Sequence, residues 1–180
     1  SPNCTTRNNI VHNNLYRGIL INNSDKCTIC DNNAALGNYG INIEYSNNCT
    51  IKNNTATDTA YYGIQTYSSN GSKVNNNIVT ENDNVGISIQ YSMNCTISEN
   101  IIRNSQDGGG IEISSSNDTQ ALDNTLDGNY QGIRLWQSNN CRIYSNEING
   151  SLNGIYVYSS NSTKLSYNTM KNNFYGLLLL

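Results

Sequence analysis

The chain has 180 residues, a net charge of −3, and charged side chains at only 13%, about half of the roughly 25% usual in soluble domains. One residue in five is Asn, 36 in all, against one Pro and one Phe. So low a charge argues against a disordered tail, and with no basic stripe the footprint of a nucleic-acid partner is missing.

No apolar run approaches the ~18 residues of a membrane span, and the N-terminus carries no signal-peptide pattern. A fixed period, where one exists, overrides local readings and is sought first. Eight glycines each precede Ile or Leu: Gly18, Gly40, Gly63, Gly86, Gly110, Gly132, Gly154 and Gly176, spaced by 22 to 24 residues. Six residues after each of the first seven stands a Ser (Ser24, Ser46, Ser69, Ser92, Ser116, Ser138, Ser160), and Ser1 supplies an eighth. Eight residues after every one of these serines stands an Asn: Asn9, Asn32, Asn54, Asn77, Asn100, Asn124, Asn146 and Asn168.

Within each unit the apolar residues alternate. Ile41 and Ile43, Ile87 and Ile89, and Ile111 and Ile113 follow the glycines. Cys49 and Ile51, or Cys95 and Ile97, come next, and Val79, Ile102, Leu126 and Ile148 follow the Asn column. Period two marks strands with one face inward, and the three- and four-residue spacing of a helical solenoid is absent. The expected fold is all-β: a single-stranded right-handed parallel β-helix of about eight coils of 22–24 residues, with three short strands per coil. Coils so stacked lie ~4.8 Å apart. Residues 1–180 read as one β-helix domain, a segment of a longer array or a mature unit without its leader, with both ends falling mid-coil. An inward Asn amide must be hydrogen-bonded, and amides in register satisfy one another along the stack. The Gly column predicts a turn with positive φ or a close approach, and the Ser column a turn cap.

The pattern G-I-x-I-x-x-S-x-N-C-T-I-x-x-N, seen intact from Gly40 to Asn54, resembles the parallel β-helix repeats of the NosD-like and carbohydrate-binding and sugar-hydrolase superfamily. It is especially similar to repeat arrays in surface proteins of methanogenic archaea. The resemblance covers the whole chain and implies an extracellular or cell-surface location, with the periplasm as alternative. It does not imply one activity, because the family includes lyases, hydrolases, epimerases, metal-delivery accessory proteins and surface-layer proteins.

Cys4, Cys27, Cys49, Cys95 and Cys141 share one column with Ser72, Thr119 and Thr163. Such a column reads as a small inward position holding buried thiols. Disulfides are the alternative, although parallel side chains oppose the dihedral a bridge needs. Cys30 is expected to face outward and to be the reactive thiol, and Cys27-x-x-Cys30 is no metal pair because residues three apart on a strand face opposite sides. His12 is the only His, so no metal site is expected there.

Outward columns carry the candidate chemistry. Two residues after the glycines stand Leu20, Asn42, Gln65, Ser88, Glu112, Arg134 and Tyr156; four after stand Asn22, Glu44, Tyr67, Gln90, Ser114, Trp136 and Tyr158. Trp136 is expected beside Tyr158, and Glu112 beside Arg134. Aromatic platforms flanked by polar forks suit sugar rings, so Trp136, Tyr158, Arg134, Glu112, Tyr67 and Tyr156 are the candidate glycan-binding residues. Tyr16, Tyr39, Tyr61, Tyr62, Tyr130 and Tyr175 extend the aromatic rim. The plainer reading is that aromatics suit exposed strands and that Glu112 and Arg134 form a cross-strand ion pair.

Catalytic candidates are Glu112 and the pair Glu99 and Asp123, which precede the ladder Asn on consecutive coils, ~5 Å apart by strand spacing. Close carboxylates can raise one pKa or hold Ca²⁺, and glycosidases use paired carboxyls. No other cofactor is implied. Arg103 and Asp127 are expected to form a salt bridge. The paired Asp, Gly-His-Gly and Arg-x-Lys motifs of polygalacturonase-type helices are absent, as is an Asp cluster for Ca²⁺. Thr5, Thr28, Thr50 and Thr96 form a column, but Arg7, Cys30, Lys52 and Asn75 beside it argue against ice binding. Sequons stand at Asn3, Asn22, Asn48, Asn53, Asn70, Asn94, Asn117, Asn149 and Asn161, and several are candidate glycosylation sites at exposed turns.

Two function classes follow. One is a structural or binding surface solenoid, self-associating through uncapped coil ends and presenting a glycan face to a polysaccharide or surface glycan. The other is a polysaccharide-acting enzyme (hydrolase, lyase or epimerase type) with its site around Glu112, Arg134 and Trp136.

Overall fold

The computed structural model describes residues 2–180; the Ser1 position of the Ser column lies outside them. The described residues form three parallel sheets of eight strands each and contain no helix. The first sheet runs from Thr5–Arg7 to Lys164–Ser166 and the second from Ile10–His12 to Thr169–Lys171, both in three-residue strands. The third carries longer strands, from Arg17–Asn22 to Tyr175–Leu179. The chain visits the three sheets in turn, so each strand pairs with its equivalent one coil later, as Ile64 does with Ile87 and Ile87 with Ile111. This is the β-helix of about eight coils that the period predicts.

Alternation places one residue of each short strand and two of each long strand inside. Ile29, Ile51, Val74 and Ile97 stack from the first sheet, Ala56, Val79, Ile102 and Leu126 from the second, and Ile87 with Ile89, then Ile111 with Ile113, from the third; all are fully buried. Each buried aliphatic side chain contributes roughly 1.5–3 kcal/mol of transfer free energy. β-Branched residues dominate because they pack well on a pleated surface.

The corners are held by side-chain ladders. Each ladder Asn offers one oxygen to the preceding coil: the Oδ1 of Asn100 accepts both the backbone N–H of Asn77 at 2.9 Å and its Nδ2 at 3.0 Å. Asn77 Nδ2 also donates to the carbonyls of Ile51 and Asn75. The Ser column does more than cap a turn. Ser46 Oγ donates to Glu44 O at 2.7 Å, while the Ser46 backbone N–H donates to Ser69 Oγ one coil on at 3.0 Å. A further inward column stands five residues after the ladder Asn in every coil, and there the residue types vary: Thr59, Asn82, Ser105, Asn129, Ser151 and Asn173 among them. The backbone N–H groups of Thr59, Ser105 and Ser151 donate to Asn82, Asn129 and Asn173 Oδ1.

From that column to the next strand Gly the count is three to five residues, and this one corner absorbs all the variation in coil length. The longest version runs from Ser105 to Gly110 and uses Gly109 at φ 118°. The strand glycines themselves do not adopt positive φ; close approach explains them. A Cβ on Gly86 would stand 2.6 Å from Ile102 Cγ2 and 2.8 Å from Gly110 O. Positive φ falls instead on turn residues outside the Gly column, such as Asn53, Asn76, Glu99 and Asp123 at φ 54–56°. Asn and Asp tolerate that region best among residues with a side chain.

Cys49, Cys95 and Cys141 are buried free thiols. Their Sγ atoms lie 3.5–3.6 Å from the carbonyl oxygens of Ser24, Ser69 and Ser116. Thr119 makes the equivalent contact to Ser92 O, which is why hydroxyl and thiol side chains share this column. Burial pushes the Cys95 and Cys141 thiols up to about 11. Cys30 corrects the expectation of a reactive outward thiol. It stands in register between Arg7 and Lys52, whose long stems flank it. It is only 7% exposed, and desolvation raises its pKa.

Candidate functional site

The outward face of the third sheet carries a polar floor beneath aromatic walls. Asn42, Gln65, Ser88 and Glu112 stand in register on four consecutive coils. They point outward by alternation, yet are at most 7% exposed. Asn42 Nδ2 donates to Gln65 Oε1 at 3.2 Å, Gln65 Nε2 to Gln90 Oε1 at 3.4 Å, and Gln90 Nε2 to Glu112 Oε1 at 3.0 Å. Gln90 Nε2 also donates to Tyr62 Oη at 3.2 Å. The amides therefore form a line of donors and acceptors running along the solenoid axis.

Tyrosines overhang this floor on both sides. Tyr45, Tyr67 and Tyr91 make one wall, with ring centroids 5.7 and 5.4 Å apart in edge-on contacts. Tyr16, Tyr39, Tyr61 and Tyr62 make the other, at 5.5–5.8 Å. Between them lies an open groove of about 360 Å³ lined by Tyr39, Glu44, Tyr45, Tyr62, Gln65, Tyr67 and Gln90. Burial pushes the Tyr39 and Tyr62 phenols up, so both stay protonated near neutrality.

An arginine with both an ion pair and a ring contact stands on the first strand of the face and another on the sixth. Arg17 pairs with Glu44 at 2.5 Å, and its guanidinium lies 4.6 Å from the Tyr16 ring centroid and 5.5 Å from that of Tyr39. Arg134 pairs with Glu112 at 3.4 Å and sits 5.1 Å over Trp136. Trp136 in turn stacks on Tyr158 at 4.4 Å with 23° between the planes. Both Glu112 oxygens are engaged: Oε1 by Gln90 and Ser88, Oε2 by Arg134.

Of the residues predicted as a glycan face, Glu112, Arg134, Trp136 and Tyr158 come together as one cluster. Tyr67 lies two coils before Glu112, in the groove wall. Tyr156 continues the row in register with Arg134 without ring contact to its aromatic neighbours. Of the expected rim, Tyr16, Tyr39, Tyr61 and Tyr62 gather in the wall, whereas Tyr175 packs against Phe174. Tyr45 and Tyr91 are the wall residues that reading by column missed. They occupy left-handed turn positions at φ 50°, one residue before the Ser column, and a Tyr-Ser pair there is the available signal.

Glu99 and Asp123 occupy exposed left-handed turns. Among the described residues no group of three or more His, Cys, Asp or Glu side chains could hold a metal ion. Arg103 and Asp127 stand in register but form no ion pair; Asp127 Oδ1 accepts from Asn149 Nδ2 at 2.7 Å instead. Of the sequons, Asn3, Asn22, Asn48, Asn70, Asn94 and Asn161 are exposed and Asn117 is half-buried. Asn70 and Asn117 use Oδ1 to accept the backbone N–H of the next coil. No helix of the described residues is long and apolar enough to cross a membrane.

Residues 1–148 and 69–180 match the family model described as "Right handed beta helix region". Among solved structures the chain is similar to the A-module of the mannuronan C-5 epimerase AlgE4 of Azotobacter vinelandii. That match has TM-score 0.87 and 17% identity, and covers 98% of this chain and 55% of that one. It is also similar to the periplasmic alginate epimerase AlgG, with TM-score 0.84 and 20% identity over 89% of this chain and 43% of that one. Tailspike protein 2 of an Escherichia coli bacteriophage matches with TM-score 0.76 and 11% identity over 94% and 28%. The chain thus spans about half the length of the epimerases it matches. No curated protein sequence matches it.

Proposed function

This chain belongs to the right-handed β-helix family, and we propose that it is an extracellular or cell-surface solenoid that binds an extended polysaccharide along the outer face of its long-strand sheet. The observation that carries this is the line of amides Asn42, Gln65 and Gln90, ending on the Glu112 carboxylate, between two tyrosine walls. Such a track offers ring faces on its flanks and, at the half-buried Gln90 and the wall hydroxyls, hydrogen bonds to sugar hydroxyls, the two surfaces a pyranose presents; Asn42 and Gln65 are buried and hydrogen-bond in line to Gln90. It repeats once per coil, every ~4.8 Å, about the advance of one sugar along a linear chain. A pre-formed site of tyrosines and amides loses little conformational entropy on binding.

Binding is favoured over catalysis because of the state of the carboxylates. Glu44 and Glu112 are the only acids on the long strands of this sheet. Each is tied to an arginine, and Glu112 to Gln90 and Ser88 besides. A carboxylate so engaged anchors its neighbours and is poorly placed to take or give a proton. Glu99 and Asp123 stand on equivalent exposed turns of consecutive coils, outside the groove.

Native gels cast with soluble polysaccharides test the proposal. Wild-type protein is expected to be retarded, and both Tyr67→Ala, in the groove, and Trp136→Ala, at its far end, to lose most of that retardation while keeping their β-sheet circular dichroism. Retardation unchanged by either variant contradicts the proposed face. Release of new reducing ends or unsaturated or epimerised sugars by wild type, lost in Glu112→Gln, establishes the enzymatic reading in place of this one.

A further inference from the structure

We infer that the groove selects neutral glycans and discriminates against uronate or sulfated polymers, an inference that rests on the glycan-binding reading and names its ligand class. The eight long strands of the third sheet contain four charged residues: Arg17, Glu44, Glu112 and Arg134. They sum to zero. They also cancel locally, because Arg17 pairs with Glu44 and Arg134 with Glu112.

A ligand carboxylate on this face needs a cation, and each arginine it could use is already paired with a glutamate that it would have to share. Arg17 is held by Glu44 and lies against the rings of Tyr16 and Tyr39. Arg134 is held by Glu112 and stacked on Trp136. Recruiting Arg134 to an anionic sugar would leave Glu112, 7% exposed, as an uncompensated buried charge, which is strongly unfavourable. Glu44 lines the groove itself and repels a second carboxylate. The remaining polar contacts are the Gln90 amide and the hydroxyls of the wall tyrosines, which recognise hydroxyls without regard to charge.

The other eight cations lie off this sheet, five on the first sheet, two on the second and Lys26 on a turn. The chain as a whole carries −3. Nothing on the groove face therefore offers a polyanion the electrostatic attraction that drives and salt-sensitises its binding.

The test compares glucomannan and a soluble mixed-linkage β-glucan with polymannuronate and dextran sulfate, at low and high salt, for wild type, Tyr67→Ala and Trp136→Ala. The expected result is groove-dependent binding of a neutral polymer at least about tenfold tighter than of either polyanion. It should be unchanged by salt, since no ion pair with the ligand is formed. Groove-dependent binding of polymannuronate or dextran sulfate as tight as that of the neutral polymers overturns the inference and leaves the glycan reading standing. Absence of groove-dependent binding to all four polymers overturns both.

Discussion

The Oδ1 of Asn100 accepts two hydrogen bonds from Asn77, one from its backbone N–H and one from its side-chain amide. Each amide in the column accepts from its predecessor in the same way, from Asn32, which accepts from Asn9, to Asn168, which accepts from Asn146. One side chain thus satisfies both its own inward amide and a turn N–H that no strand ladder reaches.

Replacing Asn77 tests that economy. Asn77→Ala removes the acceptor of the buried Asn54 N–H, at about 1–3 kcal/mol for a donor left unpaired, and with it the bonds Asn77 Nδ2 donates to the Ile51 and Asn75 carbonyls; Asn54 Nδ2 keeps the Ile29 and Lys52 carbonyls. A loss of roughly 3 kcal/mol in urea unfolding is expected. Asn77→Asp should cost more, because it faces Asn100 Oδ1 with a second acceptor and a buried charge.

The glycine column makes a contrasting prediction. Gly86→Ala forces a methyl against Ile102 Cγ2 and the Gly110 carbonyl, and should destabilise by about 1–3 kcal/mol, the usual cost of overpacking. Gly150 is a different case: it adopts φ 67°, a Cβ there would meet no atom nearer than 3.7 Å, and its turn column also holds Asn13, Asn104 and Asn172 at φ 53–59°. Gly150→Asn should change the unfolding midpoint little, within about 0.5 kcal/mol. Equal losses at the two positions would contradict the close-approach account.

The buried thiols set a pH dependence. Cys95 and Cys141 are raised to about 11 from 9.0 by desolvation. Between those values the unfolded chain has lost the thiol protons and the folded chain retains them, so stability falls as pH rises. That stabilisation is complete below about pH 9 and gone above about pH 11, and Tyr39 and Tyr62 shift in the same direction. Melting temperatures from pH 8 to 11 should decline less steeply in Cys95→Ala/Cys141→Ala than in wild type. In the native protein at pH 8, Cys30, Cys49, Cys95 and Cys141 should resist a maleimide and react only on unfolding.

The columns legible from sequence were those where one residue type meets one physical need. Gly at the close approach, Ser at the hydroxyl ladder and Asn at the amide ladder recur at constant spacings of six and eight residues. The third corner escaped notice because Thr59, Asn82, Ser105 and Asn129 fill one role with four side chains of three types, and because the loop after them varies in length. Alternation correctly gave the direction of Cys30, Gln65 and Glu112. It could not give their burial, which comes from long or aromatic neighbours on adjacent coils. The same limit hid Tyr45 and Tyr91, whose rings reach the groove from turn positions outside the strand pattern.

Trp136 is the only tryptophan and belongs to the proposed binding face, so its fluorescence reads the central claim directly. Titration with a retained polysaccharide should give a saturable change in emission and protect Trp136 from acrylamide quenching, with the change weakened at least about tenfold in Tyr67→Ala. A polysaccharide that binds the protein while leaving Trp136 emission and quenching unchanged would place the binding site elsewhere on the solenoid and contradict the account.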